Sequence, residues 1–300
     1  MRELKRIVVG HDLRGGGEAA LKSAAVLAKR YGAALRLVHV VEPPHSYERI
    51  AHPMASSSAV EEVAQKIGAK LEALTVSPDL AGLQVEYEVR RGKPFVELII
   101  ARRAWSADLL VVGNARETVA HLLGSTSERV VRKAMVPVMV VKKVLSANAQ
   151  TFLVPTDFSA CAKKAAAEAL VLAKNFSGRV VFVHVVDLYP SYAFTYTDDI
   201  AAPIALPPPP PEEIEAEWQG FLSGLPLDKV AWEKNTQEGE PPVEILQQAE
   251  QKKADLIVMG THGRTGLEYM LMGSVAEKVV RAASFPVLTI RPEAFQFALP

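Results

Sequence analysis

Residues 122–143, LLGSTSERVVRKAMVPVMVVKK, return at residues 271–292 as LMGSVAEKVVRAASFPVLTIRP. Outward from that pair the agreement continues. RGKPFVELIIARRAWSADLLVVGNAR (91–116) faces EGEPPVEILQQAEQKKADLIVMGTHGR (238–264), and ALRLVHVVEPP (34–44) faces RVVFVHVVDLY (179–189). The spacing is 145 residues from His39 to His184, 147 from Gly92 to Gly239 and 149 from Gly124 to Gly273. So small a drift over a domain's length marks a duplication. Two domains are expected, 1–145 and 150–293, joined near VLSANAQ (144–150).

Within each copy, short apolar runs alternate with longer stretches of helical spacing. The first copy gives RIVVG, LRLVHVV, VEYEVR, DLLVVG and VPVMVV; the second gives TFLVPTD, RVVFVHVV, KVAWEKN, DLIVMG and FPVLTIR. Continuous apolar strands separated by helices are parallel strands buried on both faces. The expected fold class is α/β: two tandem doubly wound, five-stranded parallel sheets of Rossmann-like type, packed as a pseudo-dimer. VPVMVVKK and FPVLTIRP are apolar edges that need covering, either between the copies or in a homodimer.

The bulk chemistry narrows the function. Apolar residues make up 49% of the 300, and Lys+Arg balances Asp+Glu at 34 each. A neutral chain with no basic segment is a poor partner for nucleic acid or an anionic membrane. The apolar run at the N-terminus is too short for a secretory leader, so none is expected, and no run approaches the length of a membrane span. Cys161 is the single cysteine, so no internal disulfide can form, and a cytoplasmic location is expected. The histidines lack a metal-ligand spacing, and no protein-held metal is expected.

Doubly wound sheets bind ligands beyond the carboxyl ends of their strands, where the strand order reverses. In the second copy the first strand ends in VPTDFS and the fourth in VMGTHGRTGLEYMLMGS. Gly260 and Gly263 allow a backbone turn and close approach of amides to an anion. Gly273, Ser274 and Val275 open a helix, whose free amides and dipole favour phosphate. Asp157 is placed to accept from an adenine amino group or a ribose. The plain alternative is that Ser274 only caps its helix and the glycines only turn.

These motifs resemble the universal stress protein family, whose ATP-binding members carry G-x2-G-x9-G-[ST] after strand four. Residues 260–274 match that pattern, and VPTDFS, HVV and the GEP turn also resemble the family. The resemblance implies Pro155, Thr156, Asp157 and Val185 around an adenine. It implies Met259, Gly260, Gly263 and Arg264 beside ribose and phosphates, and Gly273, Ser274 and Val275 at the phosphate tail. The expected ligand is ATP, with ADP or AMP as alternatives and Mg²⁺ accompanying the phosphates.

The first copy departs from the pattern. Asp12, Gly113, Gly124 and Ser125 are in place, but Arg116 stands where Gly263 does, and the loop is two residues shorter. A side chain replaces bare backbone where close approach is needed, so this site is expected to be degenerate, or to take something smaller.

Several other features have ordinary readings. Gly15-Gly16-Gly17 lacks a P-loop ending and is expected to be a flexible entry to the first helix. His39 and His184 are expected to be structural, Cys161 a small buried residue, and His262 a loop residue facing solvent. PIALPPPPPEE (203–213), with its Pro207–Pro211 run, is expected to be an extended surface loop. The function that the resemblance implies is a cytoplasmic ATP-binding stress-response regulator, with the nucleotide held mainly by the second copy, and a homodimer is expected. The alternatives are a weak ATPase or phosphotransferase, for which no general base is evident, and a non-binding dimerisation scaffold.

Overall fold

The computed structural model describes residues 4–42, 57–114, 125–187, 192–197, 200–205, 208–264 and 272–292. By compactness the chain divides into two units, Met1–Ala149 with Val280–Pro300, and Gln150–Val279.

In the first unit, β1 (Arg6–Gly10), β2 (Ala34–Val41), β3 (Val85–Arg91), β4 (Leu109–Gly113) and β5 (Val138–Val141) alternate with helices. These are α1 (Gly15–Tyr31), α2 (Ser57–Thr75), α3 (Pro94–Ala104) and α4 (Ser125–Lys133). The strands lie in the order β5-β4-β1-β2-β3 and pair in parallel. The chain runs from β1 outward through β2 and β3, then returns to the other side of β1 as β4. That reversal leaves a crevice at the carboxyl ends of β1 and β4. The apolar strands follow from burial on both faces: Ile7, Val8, Val9, Leu109, Leu110 and Val111 are fully buried.

The second unit repeats the plan with β6 (Thr151–Thr156), α5 (Ala160–Phe176), β7 (Arg179–Val186), α6 (Pro211–Leu222), β10 (Ala231–Glu238), α7 (Pro241–Gln251) and β11 (Leu256–Gly260). Its strand order is β10-β7-β6-β11, and the crevice lies between β6 and β11. A hairpin of β8 (Tyr192–Thr197) and β9 (Ile200–Ala205) has no counterpart among the described residues of the first unit.

The last helix, α8 (Ser274–Ala282), leads to β12 (Val287–Ile290). This fifth strand of the second copy belongs by compactness to the first unit, where it pairs antiparallel with β5 through Val287–Val140, Leu288–Met139 and Thr289–Val138. Both apolar edges are thereby covered, and every residue of the two strands is buried. Each strand end also holds a helix terminus. Lys142 Nζ donates to the Arg281 carbonyl at 2.5 Å, and buried Arg291 donates to the Val131 carbonyl. Cations at helix carboxyl ends satisfy the unpaired carbonyls there. Burial pushes the Lys142 ammonium below its usual range.

Two sequence expectations need correction. The triglycine is not a flexible entry; Gly15–Gly17 form the first turn of α1. A Cβ on Gly113 would sit 1.9 Å from the Gly16 carbonyl oxygen, so glycines are needed where α1 presses on β4. The stretch 203–213 is also not one loop. It begins in β9 and ends in α6, which opens at Pro211, where a missing N–H does no harm. Pro208–Pro210 between them are exposed, and Pro210 has polyproline dihedrals; Pro207 lies outside the described residues. Among the described residues no helix is long and apolar enough to cross a membrane.

Candidate functional site

All eleven residues expected around the second crevice line one cavity of about 680 Å³. Pro155, Thr156 and Asp157 enter from the end of β6 and Val185 from β7. Met259, Gly260, Gly263 and Arg264 come from β11 and its loop, and Gly273, Ser274 and Val275 from the start of α8. Residues 265–271 of the glycine loop lie outside the described residues.

The cleft opens because the sheet splays. β6 and β11 pair only at Phe152–Leu256 and Leu153–Ile257, whereas β1 and β4 pair from Ile7–Leu109 through Gly10–Val112. Pro155 stands where the first copy has Gly10 and has no N–H to extend the ladder. The volume fits a ligand of cofactor size.

Asp157 is more committed than its sequence position suggests. Its Oδ1 accepts from the Ser159 amide at 3.1 Å and its Oδ2 from the Arg264 amide at 2.8 Å. The Arg264 Nε donates to the Asp157 carbonyl at 2.5 Å, and its terminal nitrogen lies 3.0 Å from Glu217 of α6. The Arg264 guanidinium is thus held by protein groups. A carboxylate has about four acceptor positions, so Asp157 retains capacity for a ligand hydroxyl or amine.

The glycines separate into two kinds. A Cβ on Gly263 would lie 2.6 Å from Asp157 Oδ2, and one on Gly260 would lie 2.9 Å from Cys161 Sγ, so both are required by packing. On Gly273 the nearest atom would be the Thr261 oxygen at 3.4 Å, an ordinary contact. The expected free amide at Gly273 is a correction: it donates to the Thr261 carbonyl at 2.7 Å, closing the loop on itself. Ser274, Val275 and Ala276 follow as the first helical residues, and amides there have no acceptor within their own helix. All three line the cavity, and unpaired N–H groups at a helix start are an arrangement that suits an anion.

Sequence reading missed Asp187 beyond β7, and Pro241 and Ile245 on α7, which also line the cavity. The GEP turn before α7 was the available signal, since it delivers that helix to the crevice. Thr261 and His262 line it too, with Thr261 Oγ1 2.8 Å from His262 Nδ1. His262 therefore belongs to the cavity wall, not to a solvent-facing loop.

His184 is structural, as expected. Its Nδ1 lies 2.9 Å from the Thr156 carbonyl and its ring 4.2 Å from that of Phe158. Burial lowers its pKa, against the Thr156 hydrogen bond, which raises it. Cys161 is buried.

In the first unit, Asp12 and Gly113 line a smaller cavity of about 390 Å³ with His11, His39, Thr126 and Ser127. Arg116 and Gly124 lie outside the described residues, and Ser125 is described only as the first residue of α4. Asp12 has a different task from Asp157. Its Oδ1 accepts from the Arg14 and Gly17 amides at 3.0 and 2.9 Å, capping α1. The reason is one residue: Ser159 caps α5 by accepting from the Ala162 amide, whereas the equivalent Arg14 has no acceptor oxygen. Asp157 is released for the loop; Asp12 is not. His11, where the second copy has Thr156, is 3% exposed, and burial followed by the nearby His39 lowers its pKa against the pull of Asp12 and Glu18.

Comparison with known proteins agrees with both the duplication and the fold. A family model described as the universal stress protein family matches residues 3–142 and again 148–291. A universal stress protein of Mycolicibacterium smegmatis is 30% identical over 302 residues, covering 95% of this chain and 97% of its own. One from Methanocaldococcus jannaschii is 38% identical over 148 residues, 46% of this chain and 80% of its own. The crystal structure of a universal stress protein from Archaeoglobus fulgidus shares the fold, with TM-score 0.67 and 23% identity over 95% of this chain and 98% of that one.

Proposed function

The chain belongs to the universal stress protein family, and from that premise we propose that it is a regulator binding an adenine nucleotide in the cavity of its second unit. The observation that carries this reading is convergence. An apolar wall of Pro155, Val183 and Val185 and a floor of Gly260 and Gly263 meet the first turn of α8 in one cavity of nucleotide size. An adenine would lie against the apolar wall and take a polar contact from Asp157. The ribose and phosphates would cross the glycines, and the terminal phosphates would meet the Ser274 and Val275 amides and the Ser274 hydroxyl. Mg²⁺ would travel with the phosphates, compensating their charge where the wall also holds Asp157 and Asp187.

ATP is the proposed ligand, with ADP and AMP as shorter forms that fit the same base and ribose positions. The first copy has Arg116 in place of Gly263, a loop two residues shorter and a cavity of about 390 Å³, so the first unit contributes little affinity, and one equivalent per chain is expected. The proposed setting is the cytoplasm, with the chain acting as a homodimer in stress adaptation.

Nucleotide extracted from freshly purified protein and identified by mass, followed by titration calorimetry with ATP, ADP and AMP, tests the reading. One equivalent of adenine nucleotide supports it; a chain that neither carries nor takes up nucleotide refutes it. ADP release that is sustained and lost in Ser274→Ala would replace the regulator by an ATPase.

A further inference from the structure

Resting on that nucleotide site, we propose that Arg264 is its latch, a positioning residue that fastens the glycine loop to the end of β6 and, through Glu217, to helix α6. Nucleotide occupancy is thereby felt at α6. The geometry is a connected set of contacts within the second unit. The Arg264 amide holds Asp157 Oδ2, its Nε holds the Asp157 carbonyl, and its terminal nitrogen pairs with Glu217. The guanidinium carbon lies 5.5 Å from the Phe158 ring centre, within cation–π range.

Phe158 makes this arrangement directional. It has a left-handed backbone, φ +64°, an uncommon conformation for a bulky residue that persists where the surroundings impose it. Its ring packs 4.2 Å from His184 and 5.0 Å from Trp218 of α6. Trp218 is 1% exposed and donates to Thr236 Oγ1 at 2.9 Å, so α6 is fixed to β10 at that point. Asp157 keeps acceptor positions beside the Arg264 amide, and with that amide and the guanidinium in place its carboxylate is held ready for a ribose or amine. The adjustment that binding imposes passes to Glu217, which stands on α6, and to Phe158, which packs against it.

Among the described residues this set of contacts occurs in the second copy. At the position aligned with Arg264 the first copy has Glu117, which has no positive charge for such a pairing. The Arg264 and Glu217 side chains are about half exposed, at 53% and 44%, so their pairing adds little to resting stability and is suited to breaking and remaking.

The test uses the full chain, with calorimetric titration of adenosine, AMP and ATP into the unmodified protein, Arg264→Ala, Arg264→Lys, Glu217→Gln and the Arg264→Ala/Glu217→Gln pair. Trp218 emission is followed in a Trp105→Phe/Trp232→Phe background. Arg264→Ala is expected to weaken all three ligands alike by about fivefold, the loss of one charged contact and its pairing. Glu217→Gln weakens them less and adds nothing in the double variant, because the two act as one unit. Arg264→Lys recovers part of the loss by restoring the pair. Nucleotide shifts Trp218 emission, and the shift disappears in Arg264→Ala.

Unchanged affinity in Arg264→Ala, additive losses, or emission that ignores nucleotide overturns the latch. So does a loss confined to AMP and ATP with tighter binding by Glu217→Gln, which would make Arg264 a direct phosphate contact. Failure of the unmodified chain to bind any of the three ligands refutes the nucleotide site itself, a separate result.

Discussion

Replacing Gly263 by alanine tests whether the site depends on bare backbone at that point. The added Cβ would lie 2.6 Å from Asp157 Oδ2, and ordinary contact begins at 3.4 Å, so the carboxylate oxygen or the loop must move by 3.4 − 2.6, about 0.8 Å. Asp157 cannot simply swing away, because Oδ1 is held by the Ser159 amide and Oδ2 by the Arg264 amide at 2.8 Å. A shift of that size carries the Arg264 contact beyond hydrogen-bond range. Loss of a bond to a charged acceptor costs about 1.5–3 kcal/mol, and partial relaxation should leave about 1–2. Chemical denaturation of the Gly263→Ala chain should show that loss, and calorimetry should show nucleotide affinity reduced by about tenfold, since 1.4 kcal/mol is a factor of ten. Gly273→Ala is the internal control: its Cβ meets nothing closer than 3.4 Å, so stability should stay within about 0.5 kcal/mol. If Gly263→Ala is as stable as the unmodified chain and binds ATP equally well, the packing argument for this glycine is wrong, and with it the account of why the loop needs one there.

Other perturbations follow from the same contacts. Gly113→Ala should destabilise the first unit by at least about 1–3 kcal/mol in urea unfolding, because its Cβ would meet the Gly16 backbone and not a yielding side chain. Ser159→Ala should cost about 1 kcal/mol in the same assay through loss of the α5 cap. Arg291→Met should cost about 2 kcal/mol, since it leaves the Val131 carbonyl without its buried charged donor. His11 and His184 both titrate below 6.5 when folded, mainly through burial. In acid the unfolded chain therefore takes up protons that the folded chain refuses. Their contribution is complete above about pH 6.5 and falls as pH drops below it, by at most about 1.4 kcal/mol per pH unit for each. A His11→Asn/His184→Asn chain should show a flatter stability profile between about pH 7.5 and 5.5, and an unchanged slope would reject this assignment.

The duplication, the parallel α/β units and the crevice that would hold a ligand were legible in the linear chain. These features rest on local periodicity and on spacing that survives in the one-dimensional chain: apolar runs such as DLIVMG, and glycines at 260, 263 and 273. The contacts those residues make emerged from the packing of distant segments. Gly263 and Gly273 look alike in a motif, yet one is pressed against Asp157 while the other closes its amide on Thr261. Asp12 and Asp157 stand at equivalent positions, yet one caps a helix and the other fastens a loop, because a serine two residues on is an arginine in the first copy. The destination of β12 also lies beyond a sequence reading, since an apolar edge requires a partner without naming which strand supplies it. Hydrogen-bond acceptors and strand edges are shared by whichever groups fold brings within reach, and that choice is made among residues far apart in the chain.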